Sequence, residues 1–551
     1  MNRRRFLTAI GAGALAAGTG LIGGPLRVAD AATQRLSGSV ALGHTTVAAG
    51  NVLEFDPNAS TTVEISGDLM VEGILRMKPA SASIQHVLRF TNGGELHVMT
   101  GQLDIVGTPK TAWNRTGSDP TWTASDVLVV TPVAAGDTTV KTFKQGSTVP
   151  SFSSSRGTFS AEVLNLTRNV MIEGTPTLAM KRIMIMSPKP QTIRYATVRY
   201  AGIASEIGHY PIHMHFMGEG ARGSLIEGVV VRDGFHHAYA IHGSHGVTLR
   251  NCIAYSIVGD AYWWDLPPQA NDPVNNTDDG LWENCIAADL VEGASTPPGE
   301  LSGFLLGAGS GNAVRGCVAT AVGPSANSSG FHWPSQANSQ PNVWNFEDNI
   351  AHNNSMHGIF VWQNTDTQGH FIDRFVGYRN LKTGSTHGAY NHTGYHYRDS
   401  LFVANEGAGL SQHAQSAAPE NHQTQTRLSF ERVTFSGNPA LKLDRHVLGG
   451  TQPTLYLDCV FDGQIEVADN VQERGLYDFV RCGLESSDFT ITSIHPGSVI
   501  RVQRLDGTGY QITAGGVKTI AAFWDGWSSA GTTLPIPGEE FPDWEPKCGN
   551  D

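Results

Sequence analysis

One short phrase recurs through the second half of the chain, and it limits the fold more than any other feature. It reads LIEGVVVRD (225–233), TLRNCIAYS (248–256), LWENCIAAD (281–289), AVRGCVATA (313–321) and NFEDNIAHN (345–353). It returns as HYRDSLFVA (396–404), YLDCVFDG (456–463) and FVRCGLES (479–486). Each copy is a short β-branched or apolar strand entered through a polar or glycine corner. A repeat of this length, mostly 20 to 35 residues apart, means stacked coils that bury their apolar sides only against one another. Cys252, Cys285, Cys317, Cys459 and Cys482 occupy one position of the phrase, with Asn349 and Ser400 replacing them in other coils. This predicts a stack of small buried side chains. Disulfides are the weaker reading of these cysteines, because a protein exported already folded keeps its thiols reduced, and zinc is weaker still, because the CxxC spacing of structural zinc is absent.

A second phrase follows in each coil: YPIHMH, HAYAIH, DAYWWD, SGFLLG, SGFHWP, HGIFVW, HGAYNH and AGLSQH. Strand alternation divides it into two faces. Ile212, Met214, Tyr239, Ile241, Tyr262, Trp264, Phe304, Leu306, Phe331, Trp333, Ile359 and Val361 form an apolar face that points inward. The other face is mixed and points outward. The prediction is an all-β chain, a right-handed parallel β-helix over residues 161–485. A small glycine-rich β domain over 32–160 precedes it and caps the first coil. Residues 486–551 form C-terminal strands and a tail, in which Cys548 has no obvious partner. With 63 glycines and only 16% charged residues, the composition suits turn-rich β structure.

The outward face carries the chemistry. On this alignment His215, His242 and Asp265 form a vertical ladder on three successive coils, and His213 stands two residues before His215 on the same face. Three imidazoles and one carboxylate are donors for zinc or a similar divalent ion, with calcium the other ion kept open. A hydrogen-bonded histidine ladder without an ion is the alternative. His215, His242, Asp265 and Asp260 are the catalytic candidates, though Asp260 also fits a plain turn aspartate. His209, His236, His237 and His245 fall in corners and are expected to be solvated or supporting. Trp263, His332, Phe360, Trp362 and Tyr390 line the same face. They predict a groove on which a long polysaccharide stacks, unless loops 266–281 and 363–386 bury them.

The chain opens MNRRRFLTAIGAGALAAGTG, with Arg3, Arg4 and Arg5 before a mild Ala/Gly-rich apolar run and an Ala29-x-Ala31 site. This predicts a twin-arginine-type export signal over 1–31. No later segment reaches the apolar length of a membrane span, so a secreted, monomeric protein is expected. A formal charge of −13 and no basic run after the N-terminus argue against nucleic acid as a partner.

The stretch GHYPIHMHFMGEG…VVVRDGFHHAYAIHGSHGVTLRNCIAYSIVGDAYWWD resembles the hyaluronan-degrading cell-migration-inducing and cell-surface hyaluronidase family, which fibrocystin-like proteins also resemble. The matching strands are Gly208–His215, Ala240–Gly243 and Gly259–Asp265. Segments 112–119 and 161–175, the glycine-rich region near 36–135 and the late IRVQRLDGTGYQI are similar too. The resemblance implies a β-helix behind a small β domain, and endo-acting cleavage of a glycosaminoglycan-like polymer. It carries the family's paired histidines to His213 and His215, the next-coil histidine to His242 and the acidic position to Asp265. Asp260 departs from it, standing where the family pattern has histidine, and YWWD is heavier in aromatics.

Three functions follow as competing expectations. The first is a secreted polysaccharide hydrolase. The second is a lyase acting by β-elimination, which needs a cation to stabilise the enolate; few Lys or Arg project from the outward face, with Arg445 an isolated candidate, and this counts against it. The third is a glycan-binding β-helix without activity, since fold alone does not establish chemistry.

Overall fold

The structure is a computed structural model. It describes residues 26–27, 32–263, 276–293, 301–333, 343–361, 370–387, 395–412, 428–443, 454–468 and 476–520. Almost every ordered segment is a strand, and among the described residues the only helices are two single 3-10 turns, Glu219–Ala221 and Ser486–Asp488.

Each coil contributes one strand to each of three parallel sheets. Around the histidines the order is Ile212–Gly218 (first sheet), Leu225–Glu227 (second) and Val230–Gly234 (third), then Tyr239–Ser244 in the first sheet again. The first sheet has 16 strands and the third 14 among the described residues. The protein is the parallel β-helix that the repeats predict. Its corner between the second and third sheets is made by one left-handed residue per coil, including Tyr195 (φ 51°), Asn251 (φ 52°), Asn284 (φ 51°) and Asp399 (φ 51°). This sharp corner explains why the repeated phrase changes at a polar residue or glycine, the types that tolerate that conformation best.

Stacked coils bring like residues over like. Tyr239, Tyr262, Phe304 and Phe331 lie ring over ring inside the first sheet at 4.9, 4.4 and 4.9 Å. Each such contact adds about 0.5–1.5 kcal/mol beyond the burial of its area. The cysteines form the predicted ladder and are free thiols. Cys285 N–H donates to Cys317 Sγ at 3.4 Å, and Cys317 N–H to Asn349 Oδ1 at 2.9 Å. A second ladder was not foreseen. Asn354 Nδ2 donates to Asn380 Oδ1, and Asn380 Nδ2 to Asn405 Oδ1, both at 2.9 Å, so each buried amide satisfies the next.

Two boundaries differ from the sequence reading. The solenoid begins well before residue 161, since Thr45–Val47, Leu69–Val71 and Leu96–Val98 stack in the first sheet directly below Ile183–Ile185. Residues 32–107 are therefore coils of the same helix. At the other end the parallel stack runs past residue 485 through Phe489–Ser493 and Val499–Gln503 before the antiparallel strands Gly509–Thr513 and Gly516–Ile520. The segment following residue 107 leaves the helix, as an antiparallel sheet (Trp113–Asn114, Leu128–Val130, Lys141–Phe143, Val163–Asn165) with a hairpin. This insert covers the outer face of the third sheet instead of capping an end. Val129, Leu164 and Leu166 pack on Val230, Ile253, Ile286 and Val318. Further along, Trp122, Val130 and Val163 pack on Tyr378 and Val403. The physical reason is the third sheet itself, whose strands are apolar on both faces and need cover on both.

A buried ion pair fastens the insert. His352 Nε2 lies 3.0 Å from Glu162 Oε2, Thr131 Oγ1 donates to the same oxygen at 2.8 Å, and Arg115 Nε donates to Oε1 at 2.9 Å. Burial alone would raise the Glu162 pKa, but His352, Arg115 and Thr131 outweigh it and hold the carboxyl at about 2. A carboxylate with a depressed folded pKa stabilises the protein above its ordinary value of 4.5, and loses that contribution as pH falls from there. Glu162→Gln should thus cost about 3 kcal/mol of stability at neutral pH. Urea titrations at a series of pH values should show the deficit shrinking as pH falls from 4.5 towards 2.

Candidate functional site

The histidines sit on the first sheet in the register read from the sequence. Ile212 pairs with Tyr239, His213 with Ala240, Met214 with Ile241 and His215 with His242. Ile212, Met214, Tyr239 and Ile241 enter the core, so alternation turns His213, His215 and His242 outward. Their candidate ligand nitrogens all lie within 4.8 Å of one another. Ring centroids are 4.7 Å apart for His213 and His215, 5.0 Å for His215 and His242, and 6.2 Å for the stacked pair His213 and His242. Three of the four residues of the expected ladder are therefore together; Asp265 lies outside the described residues.

The tautomer of His213 follows from its neighbour. Its Nδ1 is 3.2 Å from the Gly208 carbonyl, which can only accept, so Nδ1 carries the proton and Nε2 keeps its lone pair. That Nε2 is buried with no hydrogen-bond partner among the described residues. Burial lowers the His213 pKa well below its ordinary value, with the neighbouring histidines adding to the shift. The ring is a neutral nitrogen donor at pH 7. An unsatisfied buried lone pair facing two further imidazoles fits a metal ion of the nitrogen-preferring kind. Calcium, which takes six to eight oxygens, does not fit this donor set.

Access is from one side. His213 and His242 are buried and His215 is half-buried. A bulge follows His215, because Gly218, not residue 217, pairs with Ser244. The bulged residue Phe216 takes a left-handed φ of 48° and is 38% exposed. Its ring lies 4.3 Å from His215 and 4.1 Å from His242. Bulges commonly re-aim side chains beside active sites. Sequence reasoning missed Phe216, because strict alternation hides a bulge.

Beside the cluster lies an aromatic tier. Tyr210 contacts His213 (4.8 Å), His236 (4.5 Å), His237 (5.2 Å) and Trp263 (5.1 Å), and His237 stacks on Trp263 at 4.5 Å. Of the solvated or supporting places expected for corner residues, His236 and His237 thus take the supporting one, buried against Tyr210. Burial holds His236 at about 4 and His237 well below its ordinary value, so both are neutral. The His237 Nδ1 lone pair accepts the Asp260 backbone N–H at 3.0 Å. Asp260 is buried, and its Oδ1 accepts Ser302 N–H at 2.6 Å and Ser302 Oγ at 2.9 Å. It therefore ties one coil to the next beside the cluster. The other two corner histidines are half-buried, His209 beside Glu206 (3.2 Å) and His245 beside Asp278 (3.6 Å).

The expected stacking groove is not open. Trp263 is 9% exposed, Phe360 3% and His332 0%, which corrects the reading of an exposed aromatic row. Their outward alternation holds, with His332 paired to Phe360, but outward positions here are covered. Trp362 and Tyr390 lie outside the described residues. The register also slips after residue 361. The strand that pairs with His357–Val361 is Thr383–His387, not the HGAYNH stretch, so His387 aligns with inward Val361 and bonds Tyr397 Oη at 2.7 Å. The uncovered part of this face lies on the other side of the histidines. Ile183–Ile185 precedes them, putting Met184 beside His213, and His97 pairs with Met184 one coil further. Met186 and Met99 are 38% and 37% exposed.

Residues 181–265 match the CEMIP beta-helix family model. That segment contains the histidine cluster, Tyr210, Asp260 and Trp263. Fibrocystin-L of Mus musculus is 31% identical over 87 residues, 15% of this chain and 2% of that protein. A G8 domain-containing protein of Dictyostelium discoideum is 28% identical over 109 residues, 19% of this chain and 7% of that protein. The chain thus spans a small fraction of the length of these relatives. Among solved structures, the mannuronan C-5 epimerase A-module of Azotobacter vinelandii is 11% identical, with 83% of this chain and 90% of that chain covered and a TM-score of 0.28.

The position of Asp260 makes a structural role testable. Asp260→Ala strands the buried Ser302 N–H and should destabilise the fold by about 2 kcal/mol. Asp260→Asn keeps an oxygen acceptor and should recover most of that loss. Chemical denaturation of both variants checks the pair.

Proposed function

We propose that this chain is an exported polysaccharide-processing enzyme whose reaction centre is the His213, His215 and His242 cluster. Within that class the favoured reaction is endo-acting glycosidic hydrolysis of a hyaluronan- or glycosaminoglycan-like polymer. The observation that carries the reading is the convergence of three outward imidazoles, one half-exposed, inside the segment that matches the CEMIP beta-helix family. The leader read over residues 1–31 supports export. No helix among the described residues is long and apolar enough to cross a membrane.

The three histidines would hold a zinc-like divalent ion, with Asp265 as a further candidate ligand from the sequence. Such an ion supplies Lewis acidity at a substrate oxygen. The chain's own residues set the conditions. Gly208 orients His213, and Tyr210 and Trp263 cover the flank of the cluster towards the later coils and exclude water there, which strengthens electrostatics. Half-buried His215 and the Phe216 ring form the side that meets substrate. The exposed Met99 and Met186, with His97, extend that surface along the sheet and offer an apolar, adaptable bed for a polymer.

Arg182 favours a second reading. Its guanidinium donates to Glu95 at 2.6 Å and to the Gly208 carbonyl at 3.1 Å, which places a cation one coil from His213. β-Elimination needs a positive charge of this kind near the acidic proton.

Metal analysis of the purified protein, with size-shift assays on hyaluronan, chondroitin and bacterial polysaccharides, tests both readings. One zinc-like ion per chain is expected. His215→Ala should lose it and cut polymer cleavage by about 100-fold or more. A folded His215→Ala protein with full activity would overturn the site. Products absorbing in the ultraviolet, as unsaturated uronates do, would replace hydrolysis by elimination.

A further inference from the structure

A cavity of about 460 Å³ lies where the inserted sheet meets the solenoid, lined by Lys110, Thr111, Trp113, Tyr195, Asn251 and Asn284 among others. Its size falls within the range of small-molecule sites, which favour junctions between packed units. It is far around the coil from the histidines. Tyr195, Asn251 and Asn284 are the left-handed corner residues between the second and third sheets, whereas the histidines project from the first. The two places share no cleft.

The lining is held in place from both bodies. Trp113, on the insert, donates its indole N–H to the Asn284 carbonyl on the solenoid at 2.9 Å. The Arg115 guanidinium lies over the Trp113 ring at 5.4 Å, and that of Arg194 beside the Tyr195 ring at 5.3 Å. Tyr195 fits its corner only because the next coil has Gly228 there; a Cβ at that glycine would sit 2.5 Å from Tyr195 Cδ1. A bulky aromatic in a left-handed conformation is uncommon and strained. This chain keeps one at the wall of a cavity.

The chemistry of the lining selects the ligand. Two aromatic rings give flat apolar surface, and two side-chain amides with the Thr111 hydroxyl give paired donors and acceptors. Asn251 and Asn284 stand on successive coils, about 4.8 Å apart along the helix, a spacing that reaches neighbouring hydroxyls. Charge is balanced internally, because Lys110 Nζ lies 2.7 and 2.9 Å from the two carboxylate oxygens of Asp126. An anion would have to compete with that carboxylate for the only ammonium in the lining. We propose that this cavity binds one or two pyranose units of a neutral glycan, as an anchoring subsite separate from the histidine cluster. Anchoring the chain at a second point raises the effective concentration of polymer at the first.

Calorimetric titration of the full mature protein tests this with three probes: cellobiose, N,N′-diacetylchitobiose and, as the charged comparison, unsulfated chondroitin disaccharide. A neutral disaccharide should bind with a dissociation constant of about 1 mM. Trp113→Ala should weaken it by about tenfold or more. Because Trp113 also joins two bodies, the doubly substituted Asn251→Gly, Asn284→Gly protein is the cleaner variant, since glycine holds the same left-handed corner at Gly228 and Gly316 in neighbouring coils. It should melt like the parent and bind several-fold more weakly. His215→Ala should bind the disaccharide as the parent does, which keeps failure of this subsite distinct from failure of the reaction centre. Absence of saturable neutral-sugar binding up to about 20 mM, unchanged affinity in the double variant, or preference for the charged disaccharide would each overturn the proposal.

Discussion

The backbone ladder between successive coils is the constraint on which everything else in this protein rests. Parallel strands stack about 4.8 Å apart, and no coil can bury its own apolar face. Register is therefore shared over the stack, and whatever fills a position in one coil must be matched above and below. Aromatic rings stack on rings, thiols on thiols, and amides on amides. The buried thiols and amides survive in the interior because the ladder hands them partners on the next coil, which removes the cost of an unsatisfied group. The same rule works outward. Two residues separated by 27 positions in sequence, His215 and His242, become neighbours because their coils are in register.

That rule makes part of the fold directly legible. The position shared by the cysteines and by Asn349 and Ser400 gives the corner of each coil. The alternation of YPIHMH against HAYAIH gives the pairing of individual residues from Ile212 to His242, as found. The register of the first sheet can be read onward to Phe360 for the same reason. It fails after residue 361 because a coil around Ile372 carries Phe375 in place of the small corner residue, so the phrase goes unrecognised. Counting on from there sets HGAYNH against His357–Val361, four residues out of the register in which Thr383–His387 pairs.

What alternation cannot reveal is whether an outward position meets water. Trp263, His332 and Phe360 alternate as outward residues and are nonetheless buried. The third sheet shows the same effect on a larger scale. Its strands read as GVVV, NCIA and GCVA, continuous apolar runs that signal burial on both faces. That signal was present, but the covering element is the antiparallel insert from far earlier in the chain, and nothing in its own Thr- and Ser-rich sequence names its partner. The contact is fixed by tertiary groups such as Glu162 and His352, 190 residues apart.

The histidine cluster combines both kinds of information. Its vertical alignment is a consequence of register and is readable in sequence. Its character comes from departures from regularity. The bulge at Phe216 breaks alternation and turns a ring across His215 and His242. The Gly208 carbonyl fixes which nitrogen of His213 holds a proton. A second tier of rings, Tyr210, His236, His237 and Trp263, packs beside the cluster and supports it from the flank. A regular β-helix with the same three histidines would expose them alike and leave their tautomers to solvent. Here one is half-open and two are buried, so the site has a direction of approach, and among the described residues the face stays uncovered along Met186, Met99 and His97.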